Sequence, residues 1–221
     1  MSGIYDATWG RVFARGYDRF FERAERGGLR ELRRHALAQA RGRTVEIGAG
    51  TGLNHDLYPP AVTELTLTEP FAPMAVQLRE KAVRLATPAK VVQAPAEELP
   101  FDDASFDTAC LTLVLCTVPD QDRALAEIAR VLAPGGRLLF LEHVRSPSPR
   151  LASWQNRLNR PWRFFGHGCN CNRDTLAALE RSPLTVERVE DGTIPHVPAL
   201  VSPMLIGSAA VADHQSPRSA S

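Results

Sequence analysis

Three closely spaced glycines follow an acidic residue in the most distinctive short motif of the chain. Gly48, Gly50 and Gly52 lie within V-E-I-G-A-G-T-G-L-N, residues 45–54, and Glu46 stands two residues before the first glycine. Glycine lets the backbone turn tightly and approach a ligand closely. The G-x-G-x-G order differs from the G-x-G-x-x-G of dinucleotide-binding proteins, and the Gly-Lys-Ser/Thr of a phosphate loop is absent. An acid at position 46 suits the ammonium group of an amino acid better than a pyrophosphate.

A second acid, Glu69, follows the next predicted strand, 17 residues after Gly52. A carboxylate at the end of a strand can accept both hydroxyl protons of a ribose through two charge-assisted hydrogen bonds. The alternative is an ordinary surface acid at a strand end. Beside the glycine loop, we interpret Glu69 as a ribose ligand.

Alternating strand and helix patterns indicate which elements position these residues. The predicted strands are 44–47, 65–68, 90–93, 106–114, 137–144, 184–189 and 204–211, and the predicted helices are 9–21, 29–40, 73–85, 120–132 and 175–181. Such alternation is typical of an α/β fold with a doubly wound, mainly parallel sheet. The last two strands predict an antiparallel edge hairpin, and the first two helices precede the sheet. Ligands of such sheets bind beyond the carboxyl ends of the strands.

Composition excludes several classes of protein. The chain has 221 residues, 44% hydrophobic and 23% charged, with 26 basic and 25 acidic residues. A net charge of +1 argues against nucleic-acid binding. No apolar run is long enough to span a membrane, and the charged first 20 residues do not resemble a secretory signal. Four cysteines do not form a disulfide framework. We therefore expect a reduced, cytoplasmic protein.

The segment 145–173 lacks acidic residues and carries an amphipathic helical pattern. One face gathers large apolar side chains, namely Leu151, Trp154, Leu158, Trp162 and Phe165. The aromatic face would pack on the sheet, cap an acceptor pocket, or make weak interfacial contact with anionic lipid. Pro161 is expected to bend or end the helix. We predict one domain over 1–212, with a helical N-terminal cap (1–41), a substrate cap (145–173) and a disordered tail (213–221).

The cysteines do not predict a metal site. Cys169 and Cys171 form a C-x-C pair, which lacks the two paired spacings of a structural zinc site. Cys110 and Cys116 lie in or beside a predicted buried strand and are interpreted as small core residues.

A series of motifs resembles the class I S-adenosylmethionine-dependent methyltransferases. In chain order they are E-I-G-A-G-T-G (46–52), Glu69, A-E-E-L-P-F (96–101), F-D (106–107) and L-A-P-G-G-R-L (132–138). Further motifs are similar to the methyltransferase-like thiol S-methyltransferases of the methyltransferase type 11 family: L-T-L-V-L-C-T-V (111–118), L-E-H-V (141–144) and W-Q…P-W…F…G-C-N…R-D-T…A-L-E (154–180). Animal members of that group carry an N-terminal membrane anchor. This sequence shows no such segment, so we expect no stable anchor.

The resemblance implies a Rossmann-like fold, S-adenosylmethionine as cofactor and a set of cofactor-binding residues. These are Glu46, Gly48, Ala49, Gly50, Thr51, Gly52, Asn54, Glu69, Pro70, Met74, Ala96, Glu97, Leu111 and Thr112. By resemblance, Glu46 and the glycine loop hold the methionine portion, and Glu69 holds the ribose.

The same resemblance assigns the adenine and ammonium contacts. Met74 would pack on the adenine face, while Ala96 and Glu97 would border its edge. A backbone carbonyl at Leu111 or Thr112 would lie near the ammonium group. Many relatives have an acid before the Ala-Glu pair, but this chain has Pro95 there. The adenine edge would then be bound by backbone groups or by Glu97.

We predict methyl transfer to a small-molecule acceptor, with thiol sulfur as the first choice. Oxygen or nitrogen of a lipid, quinone or secondary metabolite is the alternative, and a non-catalytic S-adenosylmethionine-binding protein is another. His143, at the end of the fifth strand, is the candidate general base, or else it orients the adjacent loop. His55 and Asp56, just after the glycine loop, could also face the acceptor.

Overall fold

A single seven-stranded sheet organises the computed structural model, which describes residues 6–84 and 88–211. The strands are β1 Gly42–Ile47, β2 Val62–Thr68, β3 Ala89–Val92, β4 Phe106–Thr112, β5 Leu132–His143, β6 Leu184–Thr193 and β7 Pro203–Val211. The helices are α1 Arg11–Ala24, α2 Arg30–Leu37, α3 Ala72–Ala82, α4 Gln121–Val131, α5 Pro149–Phe165 and α6 Thr175–Arg181. Short π-helical turns at Asp6–Gly10 and Glu25–Leu29 precede α1 and α2, and a 3-10 turn spans Ala199–Val201.

The strand order β3-β2-β1-β4-β5-β7-β6 confirms the predicted fold class. Strands β1 to β5 pair in parallel, whereas β7 pairs antiparallel with both β5 and β6. The chain leaves β1 toward β2 on one side and later returns to β4 on the other. The carboxyl ends of β1, β2 and β4 therefore meet at a switch point, where ligands of such sheets bind.

Helices cover both faces of the sheet. One apolar cluster joins β1, β4 and β5 to α4 and α6, through residues such as Phe140 and Ile128. The other joins the opposite face to α2 and α3, through residues such as Leu37 and Leu78. Because β1 and β4 are covered on both sides, their carboxyl ends are fixed in position.

Local capping explains where several helices begin. The Asp120 carboxylate accepts a hydrogen bond from Arg123 N at the start of α4, and Asp174 does the same for Ala177 N at α6. Pro149 lies in the first turn of α5, where its missing N–H costs nothing. In the described ranges, no helix is both long and apolar enough to cross a membrane.

Two local expectations differ from the structure. The fifth strand was predicted over 137–144, but β5 already begins at Leu132 and includes residues 133–136. The second helix was predicted over 29–40, but α2 ends at Leu37, and Gly42 opens β1 with a φ of 64°. Pro161 does not end α5, because it lies on the exposed side, where water can hydrate the carbonyl that it leaves without a partner. The predicted tail 213–221 and the expected end of the third helix at residue 85 lie outside the described residues.

Candidate active site

The glycine loop leaves β1 at the switch point and presents open space in front of its backbone. Gly48, Gly50 and Gly52 have φ angles of 66°, 57° and 83°, a region that other residues rarely adopt. A Cβ on Gly48 would approach Val114 within 2.8 Å, whereas a Cβ on Gly50 would meet nothing within 4 Å. The loop can therefore receive a ligand at Gly50 that contacts the backbone directly.

Glu69 faces this loop from the end of β2. Its Oε2 accepts a hydrogen bond from Gly50 N at 2.9 Å, and its Oε1 accepts one from Phe71 N at 2.9 Å. The side chain is buried. Each carboxylate oxygen keeps further acceptor capacity for a ligand hydroxyl.

A buried polar network connects β1, the glycine loop, β4 and α2. The Asn54 amide nitrogen donates to Glu46 Oε1 and to Thr112 Oγ1, both at 2.8 Å. Arg33 donates to Thr112 Oγ1 at 2.9 Å and to Asn54 Oδ1 at 3.3 Å. Tyr58 donates its hydroxyl to the other oxygen of Glu46 at 2.6 Å. Three predicted site residues are thus joined, together with an arginine that the sequence analysis missed.

Burial shapes the acid–base properties of the two acids. Burial raises the pKa of Glu46, although hydrogen bonds from Tyr58 and Asn54 partly oppose this. Burial also raises the pKa of Glu69 against the backbone hydrogen bonds from Phe71 and Gly50. A nearby cationic ligand would favour the charged form of both groups.

The other predicted cofactor residues lie at the same edge, in different environments. Ala49, Thr51 and Met74 are buried, and Pro70 is exposed. Ala96 and Leu111 belong to the apolar core, so only their backbone can serve a ligand.

Some candidate side chains are engaged elsewhere. Glu97 accepts a hydrogen bond from Asp120 N at 3.2 Å, which directs it toward the start of α4. His55 Nδ1 contacts Gly52 O at 2.7 Å, and Asp56 pairs with Arg30. These contacts favour local structural roles for His55 and Asp56.

The N-terminal helix α1 reaches over the glycine loop. Thr51 donates its hydroxyl to Asp18, and Lys81 pairs with the same carboxylate at 2.7 Å. Near the start of the helix, the Phe13 ring stacks on His167 at 5.2 Å between centroids. Contacts to both the loop and the turn after α5 place α1 beside the site.

A cluster of two thiols and an imidazole occupies the ends of β4 and β5. His143 Nε2 lies 3.0 Å from Cys169 Sγ, and Trp162 Nε1 donates to the same sulfur at 3.1 Å. Cys116 completes the cluster. The Cys116 hydrogen bond and the nearby His143 ring hold the pKa of Cys169 well below its usual range. Burial acts to lower the pKa of His143, but the adjacent Cys169 outweighs it and the pKa is raised.

Glu142 shapes the loop that carries Cys116. Its carboxylate is fully buried and accepts hydrogen bonds from Val114 N at 2.8 Å and Leu115 N at 3.1 Å. Burial raises the pKa of Glu142 to about 7. Leu113, just before these residues, has a φ of 62°, so the backbone turns sharply out of β4.

Helix α5 is anchored by polar contacts, and two residues of its predicted apolar face are exposed, which does not fit the alternative in which that face packs on the sheet. Trp154 is 47% exposed and Phe165 61%. The buried side chains are Ala152 and Gln155. Gln155 accepts from Ser146 N and donates to the carbonyls of Val144 and Leu200. Trp162, near the C-terminal end of α5, contacts the cysteine cluster.

Two residues important to this geometry were missed for different reasons. Arg33 lies on the buried side of α2 with Ala36 and Leu37; a basic residue within an apolar helical face is a signal that could have identified it. Cys169 comes together with Cys116 and His143 only through the fold, so spacing carries no such signal.

Comparisons with known proteins agree on one family. A family model described as a methyltransferase domain matches residues 45–140. The chain is 34% identical over 168 residues to thiol S-methyltransferase TMT1A from Homo sapiens, covering 75% of this chain and 69% of that protein. It is 32% identical over 148 residues to phosphatidylethanolamine N-methyltransferase from Cereibacter sphaeroides, covering 65% and 71%.

The fold also matches a solved structure. An S-adenosylmethionine-dependent methyltransferase from Thermotoga maritima superposes with a TM-score of 0.67 at 23% identity, covering 92% of this chain and 97% of that one. The residues present fit the cofactor: a Cβ on Gly50 would meet nothing within 4 Å, and the buried carboxylates of Glu46 and Glu69 could serve its ammonium and ribose hydroxyl groups. The chain belongs to the class I S-adenosylmethionine-dependent methyltransferases, and S-adenosylmethionine is its cofactor.

Proposed function

We propose that this enzyme transfers the methyl group of S-adenosylmethionine to the sulfur of a small thiol. The observation that carries the proposal is the cluster of Cys169 and His143, which lies beyond the strand ends with a sulfur and a ring nitrogen 3.0 Å apart. The similarity to thiol S-methyltransferase TMT1A supports the same acceptor. S-adenosylmethionine supplies an activated methyl group, and the protein aligns the acceptor and excludes water.

The polar network provides groups of both signs for the methionine portion of the cofactor. Glu46 would attract its ammonium group, and Arg33 would attract its carboxylate. Both side chains are buried and share Asn54 as a hydrogen-bond partner. Glu69 would accept the ribose hydroxyls, Met74 would pack on adenine, and the backbone at Ala96 would border the adenine edge.

Cofactor affinity is expected to rise with pH above the ordinary carboxyl range. Because burial raises the pKa of Glu46 above its usual 4.5, part of the free protein holds a proton there in mildly acidic solution. Binding of an ammonium group requires the charged form and releases that proton. Calorimetry near pH 5 should therefore give weaker binding than near pH 7, where the ammonium group of the ligand is still charged, with proton release at the lower pH. Glu46→Gln should bind more weakly and show a smaller pH dependence; equal affinity of the wild type at both pH values would contradict this.

The acceptor thiol must lose its proton during transfer. The pair of His143 and Cys169 is the candidate to receive it: His143 takes the proton when its ring is neutral, and the Cys169 sulfur takes it when the ring is already protonated. A thiolate attacks more readily than a thiol.

Trp162 is expected to position Cys169 for turnover. Trp162→Phe keeps the ring but removes the donor to Cys169 Sγ, so we expect kcat to fall about tenfold, for the loss of one hydrogen bond of about 1–1.5 kcal/mol. The KM for S-adenosylmethionine should change less than about twofold, since the hydrogen bond that is lost goes to the cysteine cluster. Trp154→Phe is the matched control on the exposed side and should leave kcat unchanged. If Trp162→Phe and Trp154→Phe change kcat equally, Trp162 does not position Cys169.

The proposed acceptor is tested by product analysis. The full chain is incubated with methyl-labelled S-adenosylmethionine and a panel of thiols, phenols and amines. Labelled S-methyl products are expected. Labelled O- or N-methyl products without any S-methyl product would overturn the proposal.

A lipid amine is the second candidate acceptor. Trp154, Phe164 and Phe165 are exposed on α5, and residues 143–173 contain six Arg and no acid. Such a surface suits contact with anionic lipid. Phosphatidylethanolamine vesicles in the same assay would give an N-methyl product in this case. A cytoplasmic location, with this weak interfacial contact, stays a prediction.

A further inference from the structure

The cluster at the ends of β4 and β5 has the donor set of a site for a thiophilic metal ion. Cys116, His143 and Cys169 each offer one ligand atom, and these atoms lie within 4.8 Å of one another. Two sulfurs and one imidazole nitrogen suit Zn²⁺, whereas Mg²⁺ and Ca²⁺ prefer oxygen. Two thiolates would balance the charge of a divalent ion, so the buried site would carry no net charge.

Contacts outside the cluster hold its ligands in place. Asn170 donates to Cys116 O from both its backbone nitrogen, at 2.8 Å, and its side chain, at 3.0 Å. This bond joins the loop after β4 to the turn that carries Cys169. His143 is the last residue of β5 and pairs with Met204 of β7. The three ligands therefore converge without requiring an ion to bring their backbones together.

The hydrogen bonds around Cys169 and His143 suit their role as metal ligands. Trp162 Nε1–H donates to Cys169 Sγ, the type of contact that tunes a metal-bound thiolate. His143 is buried, and its Nδ1 finds no hydrogen-bond partner among residues 6–84 and 88–211. Nε2 is the ring nitrogen that faces Cys169 Sγ, so it is the atom placed to bind an ion, and Nδ1 would carry the ring proton.

We propose that Cys116, His143 and Cys169 bind one Zn²⁺ ion, with a fourth coordination position open toward the acceptor pocket. Three protein ligands and an open position are the arrangement of catalytic rather than structural zinc sites. Bonds of about 2.3 Å to sulfur and about 2.0 Å to nitrogen set ligand atoms on the order of 3.5 Å apart. Small side-chain rotations take the observed separations to this geometry.

The open position gives the ion a function that rests on the proposed thiol acceptor. A thiol that binds there forms a Zn–S bond as its S–H bond breaks, and the proton leaves to solvent. The thiolate is then available for methylation near neutral pH. In this arrangement His143 is a metal ligand and the ion replaces it as the means of activating the acceptor.

The experiment uses the full chain without an affinity tag and Co²⁺ as a spectroscopic probe. After metal removal with a chelator, one equivalent of Co²⁺ should give a thiolate-to-cobalt charge-transfer band and the visible bands of tetrahedral coordination, and Zn²⁺ should displace it. Cys116→Ser and Cys169→Ser should each weaken Co²⁺ binding at least tenfold and lose charge-transfer intensity. Cys171→Ser is the matched control, because its sulfur contacts Gln155 O and Asn159 instead.

Folding and activity are read separately from metal binding. Circular dichroism and S-adenosylmethionine affinity establish that each variant is folded, and Cys169→Ala provides a second variant at that position. If the two cluster variants bind Co²⁺ as tightly as Cys171→Ser, or the wild type binds none, the metal site is overturned, and thiol methylation by the metal-free chain would leave the proposed function intact. If Co²⁺ binds through the cluster but no thiol is methylated, the site stands and the proposed acceptor fails.

Discussion

Replacement of Glu69 by alanine is expected to weaken S-adenosylmethionine binding by about 2–3 kcal/mol, or roughly 30- to 150-fold in Kd. The proposed reason is the loss of two charge-assisted hydrogen bonds to the ribose. The carboxylate also accepts from Gly50 N and Phe71 N, so its removal loosens the glycine loop that faces the same ligand. Isothermal titration calorimetry on the folded variant measures the change.

Two further variants separate the ribose contact from the loop contact. Glu69→Gln keeps one carbonyl acceptor but loses the charge, so we expect an intermediate affinity. Glu64→Ala removes an exposed acid from the same strand and should bind the cofactor like the wild type. An unchanged Kd for Glu69→Ala would contradict the ribose assignment.

The sheet was predictable because its signals are local. Strands and helices alternate along the chain, β1 ends before Gly48 and β2 before Glu69, and the strand order confirms the fold class that this alternation predicted. The glycine loop and Glu69 were predictable for the same reason. Their spacing follows from a single strand-loop-strand unit, and Glu69 does face Gly50 across the switch point.

The buried side of α5 shows where periodicity is insufficient. The aromatic residues have helical spacing, yet Trp154 and Phe165 are exposed, and Gln155 is fully buried. Gln155 reaches three backbone groups near Ser146, Val144 and Leu200, and these satisfy its amide inside the protein. Such partners come from other elements, so hydrophobic pattern alone could not identify the buried face.

The cysteine cluster required the fold itself. Cys116 was interpreted as a small core residue, and Cys169 was considered only with its sequence neighbour Cys171. In the structure the two neighbours have different surroundings. Cys171 hydrogen-bonds to Gln155 O of α5, whereas Cys169 faces His143 and Cys116. The turn after α5 folds back onto the ends of β4 and β5 and brings these residues together. This contact joins residues that are far apart in the sequence, so no local pattern predicts it.

Arg33→Met is expected to destabilise the protein by about 3–5 kcal/mol, the cost of breaking a buried ion pair by removing one partner. Arg33 Nε lies 2.9 Å from Glu25 Oε1, and the two side chains are 3% and 12% exposed. The other Glu25 oxygen is buried with no hydrogen-bond partner within the described residues, so the carboxylate would lose its main compensation. Urea unfolding measures the free energy of unfolding.

The double variant Arg33→Met, Glu25→Gln tests whether Arg33 also serves the cofactor. Neutralising Glu25 removes the uncompensated charge, so we expect most of the lost stability to return. The proposed partner of the methionine carboxylate is still missing, so S-adenosylmethionine binding should stay at least about tenfold weaker than in the wild type. Glu25→Gln alone is the control and should keep cofactor affinity within about twofold, because Arg33 retains its contacts with Asn54 and Thr112. If S-adenosylmethionine affinity returns together with stability in the double variant, Arg33 supports only the fold. Glu46 would then be the one charged side chain of the network that binds the methionine portion of the cofactor.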